Sequence, residues 1–165
     1  IGAANGALNI NGNIVPQANV TYNLGSSSAW FNNFYGVATQ AKYADLAENY
    51  LADRPYNPGL VLMFSGEAEV TLADADTTRV AGIVSTNPAH LMNSGLQGDH
   101  VVAVALQGRV PTSVVGTVRK GDTMVAAGNG AARAEANPQV ATVIGKALQD
   151  FDGSQGTIEI VVGRV

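Results

Sequence analysis

Pro58-Gly59-Leu60-Val61-Leu62-Met63-Phe64-Ser65-Gly66-Glu67-Ala68-Glu69-Val70-Thr71-Leu72 places two short apolar or alternating runs on either side of a Ser-Gly step, with a Pro-Gly step in front. Runs of this length, rich in β-branched residues and bounded by turn dipeptides, read as strands, Leu60 to Phe64 and Glu67 to Leu72. The same grammar repeats in both directions. Val80 to Val84 closes at Asn87-Pro88, and Val101 to Leu106 follows Gly98-Asp99. Then come Val110 to Val118, Thr123 to Ala127 after Gly121-Asp122, Ala131 to Glu135 after Asn129-Gly130, Ala141 to Leu148, and Thr157 to Val165 after Gly153 to Gly156. Closely spaced turns between short strands predict an all-β domain, a small antiparallel barrel or sandwich. Two stretches resist this reading. Ala38 to Ala52 fits a helix face through Tyr43, Ala47, Tyr50 and Leu51, or a strand through Leu46, Glu48 and Tyr50; Asn87 to Asn93 has room for one helical turn.

Charge divides the chain of 165 residues. Residues 1–41 carry no charged side chain, and all nine basic and thirteen acidic residues lie from Lys42 onward. A boundary at residue 42 is expected, with an arm at 1–41 and a β-domain at 42–165. The arm holds eight Asn and four aromatics in six positions, Trp30, Phe31, Phe34 and Tyr35, beside Ser26, Ser27 and Ser28. Val20, Tyr22 and Leu24 alternate with Thr21 and Asn23, which is strand spacing. So short a segment cannot bury those rings alone. Copies of the same segment around a symmetry axis are the favoured cover, since an axis brings like charges together and this arm has none. The expected interface residues are Leu24, Trp30, Phe31, Phe34, Tyr35 and Tyr43, on an extended β-arm intertwined in a trimer. A flexible or merely docked linker is the competing reading of such a composition.

Composition also excludes function classes. Without cysteine there are no disulfides, thiolate metal sites or cysteine nucleophiles, and two histidines, His90 and His100, supply a metal cage poorly. Neither a metal nor a cofactor is expected. A net charge of -4 with no basic cluster argues against nucleic acid. Charged residues make up 13%, against ~25% in ordinary domains, so polarity comes from Gly, Asn, Ser, Thr and Ala. No apolar run reaches the ~20 residues of a membrane-spanning helix, and no membrane insertion is expected. The start at Ile1, without methionine or leader, suggests a fragment or processed product.

Motifs for chemistry are sparse. Asp45 and Glu48 would share a helix face as an acid–base pair, but read as solvated carboxylates without a pocket signal. Asp74 and Asp76 lack the Gly and closing Glu of a calcium loop and read as a turn. Ser85, His100 and Asp122 form a triad only on paper, since no nucleophile elbow accompanies them. Lys120-Gly121-Asp122 does not match a phosphate loop, and Gly121, Gly128 and Gly130 open no helix as a dinucleotide fingerprint requires. The aromatic cluster is either a sugar-stacking platform or, more simply, an apolar contact.

Residues Ile14 to Tyr35, a proline step, a short strand into Asn23-Leu24-Gly25-Ser26 and an aromatic segment ending at Tyr35, resemble a motif of tail fibres and appendages of tailed bacteriophages. The segments Tyr43 to Tyr50, Pro58 to Val61 and Ala81 to Pro88 are similar to the C-terminal intramolecular-chaperone domain of phage neck-appendage and fibre proteins. Gln107 to Pro111 and Val143 to Ala147 are similar to fibre-like proteins of cyanophages. The resemblance implies a homotrimeric virion appendage whose C-terminal domain assists folding and trimerisation or forms the distal tip. Its partners would be copies of itself, other fibre or baseplate proteins, and a host surface receptor. In the chaperone family that domain cleaves itself from the fibre, and Asp45 is the residue carried over for the cut. Thr39 is the nearest hydroxyl upstream.

Overall fold

The computed structural model describes residues 8–36 and 40–163. The chain divides into two compact units, Ile1–Ala38 and Thr39–Val165.

Among the described residues the second unit is all-β, with ten strands: β1 (Asp45–Leu51), β2 (Val61–Phe64), β3 (Val70–Leu72), β4 (Val80–Val84), β5 (His90–Met92), β6 (Val101–Val115), β7 (Thr123–Gly128), β8 (Ala131–Ala134), β9 (Val143–Ala147) and β10 (Gln155–Val162). Strands β10, β9, β7, β8 and β6 follow one another, and β10 also pairs with β6, so these five close into a barrel. Beyond β6 the sheet continues through β4 and β2 to β3, and separately through β1 to β5. The all-β expectation and its barrel alternative are met.

Two local expectations are corrected and two open stretches are decided. The two strands expected at 101–106 and 110–118 are one 15-residue strand, β6, running through Gln107, Gly108 and Arg109. Gly108 is the changeover point: it stands opposite Asp45 at the start of β1 and opposite Val162 at the end of β10. Its φ is 109°, and a Cβ there would strike the Ala44 carbonyl oxygen and come within 2.8 Å of the Asp45 Cα. The glycine that reads as a break in sequence therefore serves a close backbone approach within a continuous strand. Residues 45–51, which fit either a helix or a strand in sequence, are strand β1. The stretch 87–93, which has room for one helical turn, contains β5, paired parallel to β1 with Leu46 opposite His90. The pairing is also not purely antiparallel, since β6–β8 is a second parallel contact.

The core follows the two-residue period of the strands. On β10, Ile158, Ile160 and Val162 are buried while the residues between them are partly exposed. They join Val110, Val114, Val118, Met124, Ala126, Ala132 and Ile144 in the larger apolar cluster. A smaller cluster joins Leu62, Val70, Val84, Val102 and Val104, with Tyr50, Leu60 and Leu72 packed against it. Among the described residues every buried side-chain nitrogen or oxygen has a hydrogen-bond partner.

In the first unit, residues 8–36 form no strand and no helix. Ser26 and Ala29 exchange both backbone hydrogen bonds, 3.0 and 3.3 Å, around Ser27 and Ser28. The alternation at 20–24 is not paired, and a strand without partners is not stable in water. Every described residue of this unit is exposed.

Candidate functional site

Two places gather the residues singled out in the sequence, one in each unit. In the first, Leu24, Trp30, Phe31 and Phe34 line a cleft of about 580 Å³ with Asn23, Ser26 and Ser27. The tight Ser26–Ala29 turn builds it. The Trp30 indole Nε1–H donates to the Ser27 carbonyl at 3.0 Å, fixing the ring over the turn while two thirds of the side chain remains exposed. Tyr35, at 93% exposed, does not line the cleft. The walls are apolar rings and the rim is neutral amide and hydroxyl, so the cleft offers contact area without charge.

In the second unit, Asp45 opens β1 and is buried, 6% exposed. The buried Ser85 hydroxyl donates to its Oδ2 at 2.6 Å, and its backbone carbonyl accepts the Ala89 N–H at 2.8 Å. The acid thus ties β1 to the segment that follows β4. Beside it lies a cleft of about 270 Å³, to which Lys42, Tyr43, Thr86, Asn87, Arg109 and Glu159 contribute. Lys42 Nζ sits 5.3 Å from the centre of the Tyr43 ring, and Arg109 Nε is 4.0 Å from Glu159 Oε2. Tyr43 lines this cleft. A carboxylate accepting a hydroxyl proton is the arrangement of a base beside a nucleophile, and equally of a fully satisfied buried pair.

The acid–base pairing of Asp45 with Glu48 does not form: Glu48 accepts instead from the Tyr50 hydroxyl at 2.9 Å. Burial, together with that bond, pushes the Tyr50 phenol up to about 12. Ser85, which sequence placed with His100 and Asp122, is the partner of Asp45, forty residues away. Only the pairing of strands brings them together, and neither residue type nor spacing announces it. Asp76 sits in a turn at φ 54° and meets Arg133 at 2.7 Å, which suits the turn reading of that acidic stretch. Thr39 lies outside the described residues. Among the described residues no three His, Cys, Asp or Glu side chains converge as metal ligands, and no helix is long and apolar enough to cross a membrane.

The fold of this chain is similar to that of a bacteriophage protein of known structure. No protein-family model and no curated protein matches the chain. The C-terminal fragment of bacteriophage phi29 gene product 12 matches with a TM-score of 0.55 at 12% identity, covering 72% of this chain and 99% of that one. The pre-mature phi29 gene product 12 matches with a TM-score of 0.58 at 12% identity over 77% of this chain, which spans 22% of that longer one. The head fiber gp8.5 N base of the same phage matches at a TM-score of 0.46 and 17% identity, over 72% of this chain and 96% of that one. For the two gene product 12 structures, at 12% identity, the likeness is one of fold.

Proposed function

We propose that this chain is a structural component of a phage virion appendage, in which three copies bury their leading arms against one another while residues 42–165 fold as the β-domain that holds them in register. One observation carries the reading. Eleven large apolar side chains between Leu8 and Tyr35 are 50% or more exposed, on a segment with no charge to keep it apart from its own copies. Exposed apolar surface of that density marks association. The shared fold with the gene product 12 fragment supports the virion setting. A β-domain that assembles first raises the arms' effective concentration to the order of millimolar and fixes which residues meet. Light scattering tests the reading: the full chain at micromolar concentration has the mass of three copies, and changing Trp30, Phe31 and Phe34 to Ser lowers the temperature at which that particle comes apart. Full-length protein at the mass of one copy overturns it.

Self-cleavage is the second reading, favoured by the Asp45–Ser85 pair beside the cleft that Lys42, Tyr43 and Ala44 line. The Ser85 hydroxyl adds to a peptide carbonyl of that segment as Asp45 takes its proton; the amine leaves protonated, and water hydrolyses the ester. Incubated protein then yields two masses split near residue 45, and Ser85→Ala yields one. An undivided chain rejects this reading and leaves the first intact.

A further inference from the structure

Two Asn-Gly steps lie in the described residues, Asn11-Gly12 and Asn129-Gly130, and their surroundings are opposite. Glycine has no Cβ, so its nitrogen has an open approach to the side-chain amide of the asparagine before it. Ring closure between the two nevertheless needs a backbone free to rotate. Asn129-Gly130 is the tip of the β7–β8 hairpin, and both residues have positive φ, 51° and 72°, as a type I′ turn requires. The buried Gly130 packs so closely that a Cβ there would meet Leu72 Cδ1 at 2.6 Å and Leu60 Cδ2 at 3.1 Å. Its carbonyl accepts the Val61 N–H at 2.8 Å. Rotating Asn129 toward its neighbour dismantles that turn. Asn11-Gly12 sits in an exposed bend, and among the described residues no strand flanks it and a Cβ on Gly12 would meet nothing within 4 Å.

We propose that Asn11 is a site of spontaneous deamidation and that the β7–β8 turn protects Asn129 from the same reaction. Hydroxide takes the proton of the Gly12 N–H, and the nitrogen attacks Asn11 Cγ. The new C–N bond closes a succinimide as the side-chain amide nitrogen leaves as ammonia. Water opens the ring at either carbonyl, giving aspartate or isoaspartate; nothing is oxidised or reduced. The product is the first charge on residues 1–41. Only the consequence for assembly rests on the trimer reading: arms meeting at an axis would bring three such carboxylates together.

The test is peptide mapping of the full chain after incubation at mildly alkaline pH. No Lys or Arg precedes Lys42, so trypsin leaves Asn11 on fragment 1–42 and Asn129 on fragment 121–133. Fragment ions separate Asn11 from Asn5, and isoaspartyl methyltransferase labels the isoaspartate. In folded protein Asn11 converts at least about tenfold faster than Asn129, a ratio equal to ~1.4 kcal/mol of turn opening. Gly12→Ala slows Asn11, and denaturant brings Asn129 level with it. Equal rates in the folded protein, or an intact Asn11 in a sample whose denatured control has converted, overturn the proposal. A single-copy mass in light scattering removes the assembly consequence and leaves the site standing.

Discussion

Tyr56 shows how one side chain can close a sheet edge. Its hydroxyl donates to Asp53 Oδ1 at 2.6 Å and accepts the Leu72 N–H at 3.0 Å, a backbone donor on the outer side of β3. Thr71 donates to the other Asp53 oxygen at 3.0 Å. Burial works to raise the Asp53 carboxyl, and the bonds from Tyr56 and Thr71 outweigh it, holding the group below its ordinary value. Tyr56→Phe leaves an edge amide without its partner, and we expect a loss of about 1–2 kcal/mol in denaturant unfolding. Asp45→Ala strands the buried Ser85 hydroxyl and costs about 1–3 kcal/mol in the same assay, whereas Asp45→Asn, which keeps an acceptor, costs less. Tyr50 gives a pH test. Its phenol is neutral in the fold and raised above the ordinary value of ~10, so its contribution is complete below pH ~10 and is lost as pH rises toward about 12. Alkaline unfolding curves of wild type and Tyr50→Phe therefore converge across that window.

At the scale of elements, the strands with clean turn punctuation were legible and those fixed by distant partners were not. Val80 to Val84 is β4 residue for residue, because an apolar β-branched run closes on Asn-Pro. The runs ending at Leu106 and beginning at Val110 read as two, since a glycine between them that allows a close backbone approach and one that makes a turn look alike in sequence. Three-residue β5 exists through its pairing with β1, and His90-Leu91-Met92 has no alternation of its own to show it. The Asp45–Ser85 contact was hidden for the same reason. The aromatic cleft is local by contrast: Leu24, Trp30, Phe31 and Phe34 stand close in sequence and line it together. Gly108→Ala places a Cβ at φ 109° against the Ala44 carbonyl, and we expect a loss of roughly 1–3 kcal/mol with strain as the cause. An unchanged unfolding midpoint would remove Gly108 from its changeover role.

For the molecule as a whole, the two units differ in how they hide apolar surface. The β-domain encloses its clusters in a closed barrel and the strands beside it, and its ionic pairs, such as Arg133 with Asp76 and Glu135, lie toward the surface. The leading unit leaves its rings uncovered and has no charge. Lys42 is the first tryptic site, so limited digestion should release the arm as one piece and leave the well-hydrogen-bonded domain, the cut slowing when arms are assembled. Sedimentation equilibrium of the uncut chain at micromolar concentration and moderate salt weighs the central claim most directly. Three copies per particle is the predicted result; a particle of one copy, with Trp30 emitting as a water-exposed indole, would contradict it.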